Sequence, residues 1–241
     1  MRKAIKQFRE NKNFPHLLGF LLSMGNYLNG DTPKGQAGGF HLKVLPKLDA
    51  TKDKSNKISL LQYALDTAIA AKPDLIYLSD ELKIIHEVKG TSLDGLSKGV
   101  SSFSAGFNKF KAQVKKIKEH VDDDDPFMRI ATQFYNDSRK KCEQLEQGLA
   151  NVEKDFKEML KYFAYADKEI TATETSEFFG MMSEFLFKFD KCVQATKAEQ
   201  LKNQKKNEAN KKKGQTITSA GKGEDAMSKM VNQIKSDLMN N

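Results

Sequence analysis

The side chains able to do chemistry are few and scattered. Of the four histidines, His16, His41, His86 and His120, no two stand at i, i+4 and none lies beside a nucleophile. The sequence therefore spells out neither a zinc-binding helix nor a base-activated Ser or Cys. Cys142 and Cys192 sit in helical patterns with no Cys or His at ligand spacing. They read as helix residues of a reducing compartment and not as a disulfide or a metal site. Residues 30–35, GDTPKG, place two Gly five apart, but Gln36 and Ala37 stand where a phosphate-cradling loop carries Lys and Ser or Thr. The acidic run 122–125 lacks the alternating ligands, Gly and closing Glu of a calcium loop, and reads as a solvated helix cap. The Phe residues keep helical core spacing and the Lys run near the C-terminus contains no aromatic, which argues against a single-strand nucleic-acid groove. The expectation is a protein that binds and does not catalyse, with no cofactor and no metal.

The chemistry being sparse, the elements carry the reading. The chain has 241 residues, 39% of them apolar, with 16 Phe and only 5 Pro. That composition permits a full core and long helices and disfavours a turn-rich sandwich. No run of 18 apolar residues exists, and the N-terminal MRKAIKQFRENKNF is amphipathic, so a soluble cytoplasmic protein is expected. The net charge of +8 is concentrated late in the chain, where residues 197–222 hold eight Lys and two Glu. A basic tail of this kind suits acidic lipid, nucleic acid or an acidic protein surface such as a filament.

Apolar spacing predicts two helices in residues 1–28, joined near Asn13, with Ile5, Phe8, Leu17, Leu18, Phe20, Leu21, Met24 and Leu28 inward. Gly30, Pro33, Gly35, Gly38 and Gly39 then impose a loop. A short stretch with Leu42, Leu45 and Leu48 follows. Next come a helix with Ile58, Leu61, Leu65 and Ile69 inward, ended by Pro73, and another over 74–88 with Leu78, Leu82, Ile85 and Val88 inward. Thr91 to Leu96 reads as an interruption. Phe103, Phe107, Phe110, Val114, Ile117 and Val121 mark one face of a long helix. Asp125 and Pro126 supply the cap and first residue of a second, with Phe127, Ile130, Phe134, Lys141, Leu145, Val152, Phe156, Met159 and Phe163 on its stripe. These two helices are expected to pair as an antiparallel coiled-coil arm, partly bare beyond the end of the shorter one. Thr171 with Glu174 forms an expected capping box ahead of a helix carrying Phe178, Phe179, Met182, Phe185, Leu186, Phe189 and Val193. Beyond Thr196 this helix is expected either to continue as a solvated basic rod or to fray. Residues 201–223 read as a basic linker, and 224–241 as a short amphipathic helix anchored by Met227, Met230, Val231 and Ile234.

One run points further. Gly25-Asn26-Tyr27-Leu28-Asn29-Gly30, followed by the glycine-rich loop and by Phe40-x-Leu42-x-x-Leu45-x-Lys47-Leu48, resembles the signature of the formin homology 2 domain, the actin-assembly domain of formins. The likeness continues through Thr51-Lys52, Lys57, Leu60-Leu61-Gln62-Tyr63 and Asp80-Glu81-Leu82. Ala50 interrupts the expected Asp-Thr, Gln62 stands in a His place, and Pro46 is unusual within its stretch. The resemblance spans about residues 1–200.

What it implies is an elongated all-α domain with a helical post region and a coiled-coil arm, followed by a basic flexible tail. Such domains form a head-to-tail homodimer around the barbed end of an actin filament, a lasso of one subunit encircling the post of the other. Residues Gly25, Asn26, Tyr27, Leu28 and Asn29 would line the post pocket, with Asn26 and Asn29 offering hydrogen bonds to the incoming chain. Lys57, with Lys52 and Lys54, would contact actin. The lasso, linker and most of the knob would lie upstream of these residues, making this the C-terminal part of such a domain. Met227, Met230, Val231 and Ile234 would serve an autoregulatory helix, with an intramolecular or small-GTPase-regulated partner, or a site for actin monomers. The tail would touch acidic lipid, and the protein would be cytoplasmic and cytoskeleton-associated. The alternative reading is a non-catalytic coiled-coil scaffold or membrane-surface adaptor with a polybasic tail.

Overall fold

The computed structural model describes residues 1–52, 57–122 and 125–212, with side chains as far as residue 205. Lys54 and the tail anchors Met227, Met230, Val231 and Ile234 lie outside the described residues. The described chain is α-helical throughout, its only strand-like pairing being an isolated bridge between Lys52 and Ser59. Two compact units are formed, one from Met1–Arg9 with His86–Gly180 and the other from Glu10–Ile85 with Met181 onward.

In the first unit, α1 (Arg2–Glu10) buries Ala4, Ile5 and Phe8. Phe8 meets Phe163 at 5.2 Å and Phe178 at 5.7 Å between ring centroids, and Phe156 joins Phe178 at 5.9 Å. These tilted and edge-on contacts are the favoured geometry for aromatic pairs and make a phenylalanine core. Exposed ion pairs Arg2–Asp155 and Arg9–Glu158 frame it and contribute little.

From this core extend α6 (Leu93–Lys118) and α7 (Pro126–Tyr162). The helices are antiparallel, as the pairs Ser104–Glu146, Phe107–Tyr135 and Phe110–Phe134 require. Asp125 caps α7 as its sequence implies, accepting from Phe127 N at 2.7 Å, with Pro126 in the first helical position. α6 begins earlier than expected, at Leu93, because the Ser92 hydroxyl caps it and the buried Thr175 hydroxyl bonds both Leu93 N and Thr91 O. The expected interruption is thus a helix start fixed by a distant side chain. The arm's seam also differs from expectation. On the distal part of α7 the buried residues are Met128, Ala131, Ser138 and Cys142, while Phe127, Ile130 and Phe134 are 49%, 70% and 54% exposed. No residue of α6 is buried.

α7 ends at a turn in which Ala164 takes φ of 58°. The short α8 (Asp167–Ala172) is capped by Glu169, whose carboxylate accepts from Ala166 N. Thr171 does not cap the next helix, since it lies inside α8 and its hydroxyl bonds back to Asp167 O and Lys168 O. α9 (Thr175–Lys212) then runs as one helix, and its continuation past Thr196 follows the rod alternative.

In the second unit, α2 (Asn13–Leu28) packs with α3 (Leu60–Ala71) and the central part of α9 around Phe14, Leu17, Phe20, Leu61, Leu65, Phe185, Leu186 and Phe189. The break between α1 and α2 is held by a carboxylate. Asn11 and Asn13 donate to Glu81 at 2.7 and 2.9 Å, while the Asn11 carbonyl oxygen accepts from Phe14 N. Residues 74–88, expected as one helix, divide into a 3₁₀ turn (Pro73–Tyr77), α4 (Leu78–Glu81) and α5 (Ile84–Val88). The expected inward residues Leu78, Leu82, Ile85 and Val88 are all buried. The division follows from tertiary anchoring, because Ser79 donates to Asp190 at 2.8 Å and Glu81 is committed to the two asparagines.

Candidate functional site

The last turn of α2 carries Gly25-Asn26-Tyr27-Leu28-Asn29. The helix stops because glycine and proline crowd the residues that follow. Asn29 N donates to Gly25 O, and the Asn29 carbonyl accepts from both Thr32 N and the Thr32 hydroxyl at 2.9 Å. Gly35 packs so tightly on this turn that a Cβ there would lie 2.5 Å from Asn29 O. Gln36 adopts φ of 57°, reversing the chain toward Asn26. The Asn26 side chain then closes the loop, accepting from Ala37 N at 2.7 Å and donating to Ala37 O at 2.9 Å. One amide thus pairs both ways with one residue's backbone, as a strand neighbour would.

Beyond the loop, Leu42–Lys47 form a 3₁₀ turn with Leu42 and Leu45 buried. Pro46 is accommodated inside it, and its carbonyl receives the Lys188 ammonium at 2.9 Å. Between α2, this loop and this turn lies a groove of about 490 Å³. Its walls include Leu21, Met24, Leu28, Phe40, Val44 and Leu60, with Gly25, Asn26 and Asn29 along one side. Leu28 and Val44 are 55% and 40% exposed, so the groove is an apolar surface open to solvent. A methyl group at Gly25 would touch nothing within 4 Å. Its missing side chain is therefore not demanded by packing within the unit and leaves room for something from outside.

The structure brings Gly25, Asn26, Leu28 and Asn29 to this groove, while Tyr27 turns away from its lining and is 57% exposed. Asn26 differs from the sequence expectation. The Asn26 amide is occupied by Ala37, so its part in shaping the groove is to hold the wall and not to present a free donor pair. A helix-terminal Asn ahead of a glycine loop is the signal that identifies such a clamp.

The lysine turn adjoins the groove wall. Leu60 N donates to Thr51 O at 2.7 Å and Leu61 N to Leu48 O at 3.2 Å, closing the base of the loop between them. Lys52 and Lys57 are exposed on this loop. Behind it, α3 is locked to α9 by polar groups that sequence reasoning missed. Gln62 donates to Asp66, to Cys192 O and to the Thr196 hydroxyl, which itself donates to Asp66. Burial, reinforced by Asp49 and Asp66, pushes the Cys192 thiol up to about 11. That thiol is inert packing and not a nucleophile. Among the described residues, no group of three or more His, Cys, Asp or Glu is arranged to hold a metal ion, and no helix is long and apolar enough to cross a membrane.

Residues 1–190 match the model of the Formin Homology 2 Domain. The chain belongs to the formin homology 2 family. It is 27% identical over 200 residues to Formin-G of Dictyostelium discoideum, a match covering 83% of this chain and 18% of that protein. It is 27% identical to Protein diaphanous of Drosophila melanogaster and 26% identical to human Protein diaphanous homolog 3, covering 71% of this chain in each case and 16% and 14% of those proteins. The chain thus spans less than a fifth of the length of the curated relatives it matches. Within this formin homology 2 chain, the groove and the lysine turn contain Gly25, Asn26, Leu28, Asn29, Lys52 and Lys57, residues on which the sequence resemblance rests.

Proposed function

We propose that this chain is the C-terminal part, residues 1–200, of an actin-assembly domain that nucleates filaments and elongates them at the barbed end. It acts by binding and not by catalysis. The observation that carries this reading is the groove itself, where the Gly25 to Asn29 run, the clamped loop and an open position at Gly25 make an apolar seat beside exposed lysines. In the full domain the groove receives an apolar segment of a second subunit, giving a head-to-tail homodimer. Lys52, Lys57 and Lys54 engage the acidic surface of actin. Residues 201–223, of which 201–212 continue α9, supply the basic charge that contacts acidic lipid, and 224–241, carrying Met227, Met230, Val231 and Ile234, are the regulatory or monomer-binding segment. The setting is the cytoplasm and its cytoskeleton.

The test is the elongation rate of preformed actin seeds with the 241-residue chain added, at about 0.1 M salt so that loose electrostatic adhesion is screened. Slower growth at the barbed end, relieved by Lys57→Asp, is the expected result. Growth unchanged by the chain, together with no co-sedimentation on filaments, would overturn the proposal.

A further inference from the structure

The arm carries a surface that the proposed function leaves unused. Phe127, Ile130 and Phe134 stand in line along α7 at the edge of the seam and remain largely exposed, while the seam itself holds Met128, Ala131, Ser138 and Cys142. On α6, Phe103 and Ile117 are likewise 48% and 37% exposed and lie seven residues to either side of Phe110. The two stripes are continuous, because Phe110 of α6 meets Phe134 of α7 edge-on at 5.1 Å. Two helices thus turn large apolar side chains to one side of the arm, an arrangement that a third helix completes by seating its own apolar ridge between them. An apolar face of this kind on a soluble domain marks an interaction site.

Charge identifies the occupant. Lys109, Lys116 and Arg129 each stand one residue before a stripe member, which places them on one flank of their helix. That flank points away from the seam, since Lys111, on the other side of Phe110, lies over the Tyr135 ring within it. Lys140 continues the flank on α7. All four are exposed, and none forms an ion pair among the described residues. The rim of the face therefore carries these four bases against one acid, the exposed Asp137 seven residues after Ile130, and is basic in balance. A second copy would set this rim against itself, and an anionic membrane would meet Glu119, Asp122 and Asp125 at the arm's tip, both of which cost Coulomb energy.

We infer that the Phe103–Phe110–Ile117 and Phe127–Ile130–Phe134 face of the arm docks an acidic amphipathic helix of a partner protein. The partner's apolar residues recur at heptad spacing over the stripes, and its Glu or Asp residues lie above Lys109, Lys116, Arg129 and Lys140. The contact uses no residue of the groove or of the lysine turn.

The probe is a pair of fluorescent peptides about 25 residues long, sharing Leu at heptad core positions. One carries Glu on its flanks and the other Lys. Anisotropy titration with the full 241-residue chain at about 0.1 M salt is expected to give the Glu peptide at least about tenfold tighter binding. Ile130→Asp with Phe134→Asp removes that binding, while circular dichroism shows the helical signal retained and the melting temperature lowered only by the loss of the Phe110–Phe134 contact, Ile130→Asp alone leaving it unchanged. Lys109→Glu with Lys116→Glu reverses the preference toward the Lys peptide, an outcome that a merely sticky apolar surface does not produce. The inference is overturned if neither peptide binds, or if binding survives Ile130→Asp with Phe134→Asp. It is equally overturned if sedimentation shows a dimer that this double variant dissociates, or if the face binds phosphatidylserine vesicles in preference to the Glu peptide.

Discussion

The two ends of α7 obey the same apolar rhythm and meet different fates. Near its C-terminus Phe156, Met159 and Leu160 are 2%, 0% and 0% exposed, enclosed by Phe8, Phe178 and Phe179. Near its N-terminus, Phe127, Ile130 and Phe134 keep similar spacing and remain largely in water. The difference is one of neighbours. The proximal end has α1, α8 and the start of α9 around it, whereas among the described residues the distal end has α6 alone. A single antiparallel partner covers only part of a helix's circumference, and here it covers the small-residue part.

The comparison can be broken or sharpened by substitution. Phe156→Ala, by opening a cavity among rings that cannot collapse around it, should lower stability by about 3–5 kcal/mol, read from thermal or denaturant unfolding. Asp125→Ala removes the cap that starts α7 and should cost about 1 kcal/mol, with faster amide exchange confined to the arm. Phe110→Ala should cost about 0.5–1.5 kcal/mol through its edge contact with Phe134. Ile130→Ala, in contrast, should change stability by no more than about 0.5 kcal/mol. A larger loss there would mean that the distal stripe is packed after all. A further difference concerns pH. Burial, with Glu169 and Glu177 nearby, raises the Tyr165 hydroxyl from 10.0 to about 12. The sign follows, since the neutral phenol is favoured in the folded state. Its contribution is complete below pH 10 and is lost as pH rises toward 12. Resistance to thermal or denaturant unfolding should therefore fall over that window, and Tyr165→Phe should make the fall shallower.

The sequence was most legible where one mechanism acted alone. The Asp125-Pro126 start of α7 is local chemistry, and the Phe and Leu spacing of α9 reports a helix buried on most of its length, so both agree with the structure. The break at Asn13 was visible too, although not the carboxylate of Glu81 that holds it. Legibility failed where a distant side chain decided the outcome. Thr175 sets the start of α6, Asp190 and the asparagines divide residues 74–88, and Thr171, expected to cap the next helix, is drawn into α8, whose own start Glu169 caps. Choosing between adjacent stripes on α7 needed knowledge of which one α6 covers, and period alone carries no such information. At the groove, the motif located the wall, but the closed pairing of Asn26 with Ala37 required coordinates.

That pairing has a practical use. Because Asn26 fastens the loop at Ala37, the two glycines beyond it are released from structural duty, and a Cβ at either would meet nothing within 4 Å. Gly39 borders the groove. A cysteine placed at Gly38 could therefore carry an environment-sensitive dye at the mouth of the seat without disturbing it. Its emission would turn the groove into an optical gauge of its own occupancy, legible in real time.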